Sequence, residues 1–312
     1  TTMTCAGLAA VVLTSGIVAS VAADGGLTAV VGASGNVGKL VALRLADNRP
    51  VRAIVRDKSS VAEFLNKPNI ELVEADVRTD AEPGGALESA LRGARTVVAC
   101  TGTTAFPTKA WSKSGDSDVT GAVVSALVDS GFSITNALTL LDGQGLNTPS
   151  NVDDKGVRAI LRAWEAGAGA SREHFVLMSS VGVTRRDGFP FKILNACGVL
   201  DAKASGEAAV KEGAAKGAYD YTIVRPGQLF GGPYTNNYYL GTLFQLDKDA
   251  DTQDVRVARG DTLLGDTLRS TLAEVIATIV ESKVARGTDV SVINEPGTPP
   301  SSEQLKERLM AL

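Results

Sequence analysis

Apolar residues change period repeatedly along the first 225 positions. The runs 27–31 (LTAVV), 51–55 (VRAIV), 70–76 (IELVEAD), 95–102 (RTVVACTG), 174–180 (HFVLMSS) and 219–227 (YDYTIVRPG) are short and largely β-branched, and read as strands. Between them apolar residues recur at three and four. In 36–48 this places Val37, Leu40, Val41, Leu43 and Leu45 at roughly helical spacing, and Asn48-Arg49-Pro50 stops the helix. Segments 60–66, 85–93, 152–167 and 199–216 read as further helices. Strands alternating with helices imply βαβ units with right-handed crossovers, so the fold class is α/β with a doubly wound parallel sheet.

Two regions break the rhythm. Residues 103–150 are too long for a simple connection and contain a helical pattern at 118–131. An apolar-rich insertion, 112–147, separates Trp111 from Asn147. Residues 228–270 follow the sixth strand, where a small C-terminal substrate lobe is expected. A helix at 270–282, a strand at 289–294 and a terminal helix at 301–312, capped by Ser301, complete the pattern.

The other end of the chain reads differently. Residues 1–23 carry no charged side chain, and ~20 helical residues cross a ~30 Å hydrocarbon layer. The segment is also rich in Ala, Gly, Ser and Thr. A membrane anchor, a targeting remnant and a soluble packing helix are the three readings. The organisation is thus an uncharged segment 1–23 and an α/β domain 24–312.

Composition narrows the function. With 312 residues, 44% hydrophobic and 21% charged, the chain can bury a sizeable core. A net charge of -4 without a long basic run gives nucleic acid no electrostatic footprint. Three scattered cysteines (Cys5, Cys100 and Cys197) and a single histidine supply neither a disulfide framework nor a metal site. His174 directly precedes a buried strand and reads as structural.

The segment VVGASGNVG (30–38) ends the first strand and opens the first helix. Gly32 allows the sharp turn, Gly35 lets the backbone approach a pyrophosphate, and Gly38 lets the helix pack on the strand. Ser34, Asn36 and Val37 belong to the same cradle, whose amides attract phosphate at the helix N-terminus. Strand 2 ends on Arg56-Asp57-Lys58. A carboxylate there serves the ribose of NAD, and an arginine a 2′-phosphate. Arg56 follows the apolar run directly and Lys58 adds charge, so NADP(H) is favoured and NAD(H), through Asp57, is the alternative.

These motifs, with EADV (74–77), CTGTTAFP (100–107), NTPSNVDDKGV (147–157), FVLMSSVGV (175–183), NACGVLDAKASGE (195–207), YTIVRPGQL (221–229) and RGDTLLGDTLR (259–269), resemble an atypical short-chain dehydrogenase. More narrowly, they are similar to the NmrA-like, NAD(P)-binding branch of plastids and cyanobacteria, over about 27–295. The resemblance implies a Rossmann fold, and Asp76 and Val77 flanking the adenine. It implies Thr101 and Gly102 beside the nicotinamide ribose and Ser179 and Ser180 lining the nicotinamide pocket. Lys203 would bond the ribose, and Pro226 and Gly227 would cover the nicotinamide end. Ser180 and Lys203 are the catalytic candidates. In relatives of this type the tryptophan and the NTP triplet stand a few residues apart, without the insertion.

The usual chemistry of such enzymes uses a tyrosine four residues before the lysine, whose proton is exchanged with substrate. That position is Val199 here. Tyr219 and Tyr221 flank the sixth strand as packing residues, and Tyr234, Tyr238 and Tyr239 fall in the expected lobe. Two functions follow. One is an NADPH-dependent oxidoreductase of the chloroplast acting on an apolar substrate with another proton source. The other is a non-catalytic, NADP-binding accessory subunit of a thylakoid pigment–protein complex. In the second, 1–23 and 112–147 contact a membrane or a membrane-protein complex.

Overall fold

The computed structural model describes residues 26–61, 65–217, 219–231 and 251–312. The uncharged segment 1–23, and the centre of the helix expected at 60–66, lie outside the described residues.

Glycine turns and β-branched runs produce strands β1 (Thr28–Val31), β2 (Val51–Val55), β3 (Ile70–Glu74), β4 (Thr96–Ala99), β5 (His174–Met178) and β6 (Asp220–Pro226). The amphipathic segments become α1 (Asn36–Ala46), α2 (Ala86–Leu91), α3 (Thr120–Asp129), α4 (Ile134–Gly143), α5 (Lys155–Ala168), α6 (Phe191–Leu194) and α7 (Val199–Ala215). The chain continues through β7 (Gln228–Phe230), β8 (Asp254–Arg259), β9 (Asp266–Leu268), α8 (Arg269–Ser282), β10 (Thr288–Glu295) and α9 (Ser302–Met310). Ser301 caps α9 as expected, and Gln304 completes a capping box.

The main sheet has the order β3-β2-β1-β4-β5-β6-β10-β8, parallel except for β8, which runs antiparallel to β10. Both faces are covered at the centre of the sheet, where β1 (TAVV) and β4 (TVVA) are buried at every residue. Val30 turns to a core with α1, α8 and α9, while Ala29 and Val31 turn to a second core with α2, α5 and α7. Arg44 ties α1 to α8 through Glu274 at 2.9 Å and Glu281 at 3.1 Å.

Of the region expected as a substrate lobe, 228–270, the described residues are 228–231 and 251–270. Its residues 254–259 are edge strand β8 of the main sheet, and β7 pairs with β9 in a separate two-stranded ribbon. Short strands without strict alternation carried no clear signal in the sequence. Residues 232–250, with Tyr234, Tyr238 and Tyr239, lie outside the described residues.

The insertion is a helical hairpin, α3 and α4, around its own small core of Trp111, Val119, Ala126, Ala137, Leu141 and Leu146. The helix expected at 118–131 is α3; the second helix, α4, was not anticipated. Its neck is closed. The Asn147 amide donates to the Trp111 carbonyl at 2.7 Å, and the Asn147 side chain donates to the carbonyls of Ala110 and Ser112.

His174 is structural. It is 1% exposed, with Nε2 2.8 Å from Thr222 Oγ1. Thr222 donates its own proton to the Ala285 carbonyl, so His174 is neutral and donates through Nε2. Burial, with Arg286 and Arg49 nearby, pushes its pKa from 6.5 to about 3. The unfolded chain therefore takes up a proton that the folded chain refuses. This contribution is complete above the unfolded pKa and is lost as pH falls toward the folded one, by roughly 2 kcal/mol at about pH 5. Urea midpoints measured at pH 7 and 5 should show this fall, and His174→Gln should flatten it.

Candidate dinucleotide site

The strand order reverses between β1 and β4, and the crevice at their carboxyl ends is where such sheets bind ligands. Here that crevice is a cleft of about 190 Å³. It is lined by eight of the expected residues: Gly32, Ser34, Gly35, Arg56, Asp76, Val77, Thr101 and Gly102. Ile54, Arg78, Cys100, Ala110, Gly115 and Asn147 also line it. Asn36, Val37, Gly38, Ser179, Ser180, Lys203 and Pro226 do not.

Backbone geometry makes the phosphate end. Gly32 has φ +78, a conformation that side chains disfavour, and a Cβ there would meet the Thr101 amide at 3.0 Å. A Cβ on Gly38 would stand 2.2 Å from the Gly32 carbonyl oxygen. Gly38 is therefore the packing glycine between turn and helix, set behind the cleft. Gly35 precedes α1 with no side chain to cap it. The first amides of the helix are thus presented to an anion. In the segment that follows β4, the buried hydroxyls of Thr101 and Thr103 have no partner among the described residues. Donors at the helix start and orphaned hydroxyls after β4 fit a dinucleotide.

The adenosine end carries the charge. Asp76 accepts from Arg78 Nη2 at 2.6 Å and from the Arg78 amide at 2.9 Å. Burial raises its carboxyl pKa, but Arg78 outweighs this and holds it below the usual range. Arg56 faces the cleft, whereas Asp57 turns to accept from the Ser59 amide and hydroxyl at 2.8 and 2.6 Å. Cys100 is no nucleophile, because burial pushes its thiol up to about 12.

The residues expected at the nicotinamide end divide. Lys203 Nζ lies 2.6 Å from Asp153 Oδ1, and a Cβ on Gly102 would be 3.5 Å from that nitrogen. The lysine therefore stands beside Gly102, behind the residues that line the cleft. Its partner is Asp153, from a π-helical turn at Ser150–Asp154 that precedes α5. The other Asp153 oxygen accepts from the Thr103 amide at 3.3 Å. Burial raises the Asp153 pKa against the pull of Lys203. An i,i+4 pair of Lys203 with Glu207 does not form. Glu207 points inward to Arg225 and accepts from Ser179 Oγ at 2.6 Å. The Ser179 hydroxyl thus serves the core. Ser180 Oγ donates to the Val181 carbonyl at 3.0 Å. Pro226 ends β6 and is buried. Val199 packs with Val181, Val183, Phe191 and Leu200.

Asp261 was not singled out by sequence. Its carboxylate accepts from the Gly182 and Thr184 amides at 2.8 Å each and from Arg185 at 2.9 Å. It fastens the loop after β5, the loop that follows Ser179 and Ser180. Burial raises its pKa, and these donors bring it below the ordinary value. Arg78 and Asp153 also escaped notice. Each lies in a quoted motif or just beyond one, but the partner that gives it meaning is distant in sequence.

Fold and cleft together define a nucleotide-binding Rossmann protein. Residues 32–283 match the model of the NAD(P)H-binding family, and the chain belongs to that family. The chain is similar in structure to a NAD-dependent epimerase/dehydratase from Bacillus halodurans, with 22% identity, TM-score 0.58 and coverage of 91% of this chain and 100% of that one. An oxidoreductase from Lactococcus lactis aligns with 17% identity and TM-score 0.57 over 92% of this chain and 96% of that one. A short-chain dehydrogenase/reductase from Veillonella parvula, in complex with NADP, aligns with 13% identity and TM-score 0.52 over 88% and 98%. At these identities the likeness is one of fold. No curated protein matches the chain.

Proposed function

We propose that this protein binds NADP(H) and works as an oxidoreductase of the atypical short-chain dehydrogenase type, akin to the NmrA-like branch, without the usual tyrosine. The observation that carries the cofactor choice is at the end of β2. Arg56 lines the cleft, while the Asp57 carboxylate that would serve an NAD ribose is bonded to Ser59. When bound, the cofactor supplies a hydride. Lys203 stands beside Gly102 for the ribose, and Asp153 fixes its ammonium group. Val199 has no proton to give, so the proton comes from another source.

The test is the affinity for each dinucleotide by titration calorimetry. Arg56→Ala removes charge-assisted bonds worth about 1.5–3 kcal/mol, so NADP⁺ binding should weaken about 10–100-fold with NAD⁺ binding unchanged. Equal weakening of both would overturn the assignment.

A second reading has its own observation. Val124, Val128, Phe132, Ile134 and Leu140 on the α3–α4 hairpin are all exposed, Phe132 by 76%. Exposed apolar clusters mark contact surfaces. This supports an accessory subunit that docks through 112–147, and through 1–23, on a membrane or membrane-protein complex. The chloroplast and thylakoid setting rests on the sequence resemblance. Oxidation of NADPH by a carbonyl or quinone substrate favours the enzyme over the accessory subunit.

A further inference from the structure

The arginine assigned to the 2′-phosphate is already in use. Arg56 Nη1 donates to the Lys113 carbonyl at 3.1 Å, and Nη2 to the Ser114 carbonyl at 3.4 Å. Both carbonyls belong to the first turn of the insertion. Gly115 itself lines the cleft, and a Cβ there would be 3.0 Å from Arg56 Nη2. The base of the hairpin therefore lies directly over the side chain that would meet the phosphate.

A second arginine holds the same base differently. Arg78 Nη2 donates to the Lys113 carbonyl at 3.2 Å, and Nη1 to the Gly145 carbonyl at 2.9 Å. Arg78 is itself fixed by Asp76, so its charge is answered and its position set. Arg56 is not fixed in this way. Its described hydrogen bonds go to neutral carbonyls alone. Ionised acceptors make bonds about twice as strong as neutral ones, and a bidentate grip on phosphate uses two nitrogens of the guanidinium. Each terminal nitrogen of Arg56 gives one of its two N–H donors to the insertion. A 2′-phosphate competes as an ionised acceptor for the same guanidinium, against which Gly115 is packed, and draws it from Lys113 and Ser114, whereas a dinucleotide without that phosphate has no such claim.

We infer that Arg56 is a latch shared between the insertion and the cofactor, so that NADP(H) binding releases residues 113–115 from the cleft rim while Arg78 keeps the hairpin tethered at Gly145. The inference rests on the NADP(H) reading of the site and gives the insertion a role in it. The hairpin that carries the exposed Phe132 face is then held differently in the NADP-bound and NAD-bound protein.

Amide hydrogen exchange of the full chain tests this, ligand-free and with saturating NADP⁺, NAD⁺ or adenosine 2′,5′-bisphosphate. Exchange in 113–117 should rise about tenfold with NADP⁺ and with the bisphosphate, matching the loss of hydrogen bonds worth about 1.5 kcal/mol, and should stay unchanged with NAD⁺. Exchange around Gly145 should change little in every state. Arg56→Ala should show the raised exchange in 113–117 without ligand. If NADP⁺ binds tightly and 113–117 does not respond, the latch is overturned and the cofactor assignment stands. If NADP⁺ binds no better than NAD⁺, the assignment fails and the cofactor-driven release fails with it, and the ligand-free comparison with Arg56→Ala decides whether Arg56 holds the insertion. Unchanged exchange in that variant would show that Arg56 does not hold the insertion.

Discussion

Glu207→Ala should lower stability by about 3–5 kcal/mol. Glu207 Oε1 accepts from Arg225 Nε at 2.9 Å, and Oε2 from Nη2 at 2.5 Å. The Arg225 side chain is 1% exposed. Its remaining carboxylate partner is Asp289, at 2.8 Å, and that group is shared with Lys211 at 2.7 Å. Burial lowers the Arg225 pKa, but Glu207 and Asp289 outweigh it and raise it above the ordinary value. The guanidinium therefore stays charged and cannot escape its loss by deprotonating. Denaturant unfolding followed by circular dichroism measures the effect. A paired change, Glu207→Leu with Arg225→Met, should recover most of the loss, since it removes both charges together. A cost below 1 kcal/mol for Glu207→Ala would show that water reaches Arg225.

Gly38→Val should abolish measurable dinucleotide binding. The added Cβ would stand 2.2 Å from the Gly32 oxygen and 2.9 Å from its carbonyl carbon. Both are backbone atoms of the phosphate turn, so no side-chain rotation relieves the clash. Either α1 lifts from the turn or the turn opens, and both displace the amides that meet the phosphate. The accompanying destabilisation should be about 1–3 kcal/mol, in the range of core overpacking. Gly35→Ala is the milder control, because its Cβ would sit 3.2 Å from the same oxygen. Fluorescence titration with NADPH, on variants whose far-ultraviolet dichroism is intact, separates lost binding from lost fold. Retained affinity in Gly38→Val would mean that the turn does not position the phosphate.

Most of the sheet was legible because its signals are local. β1, β2 and β4 are apolar runs ended by turn residues, and α1 and α5 show helical spacing. The phosphate turn was legible for the same reason, since its glycines lie within seven residues of one another. What escaped depends on distant pairs. Lys203 reads as a contact of the cofactor ribose, and nothing near it in sequence names the side chain that holds it. Its partner is Asp153, fifty positions away across the sheet's end. Ser179 reads as a pocket residue, yet its hydroxyl is turned inward by Glu207. β8 escaped because an edge strand needs only one neighbour, and its pairing with β10 spans the whole of α8.

The closed neck at Trp111 and Asn147 bears on how the chain folds. Its hydrogen bond brings together residues separated by the entire hairpin, and closing a loop of that size costs roughly 3 kcal/mol of chain entropy. Within the loop, α3 and α4 meet through contacts of short sequence separation, which form quickly. The slow pairings of the parallel sheet proceed across the neck as though the two residues were neighbours. The closed neck therefore lets the insertion lengthen the chain between β4 and α5 without lengthening the path that the sheet has to close.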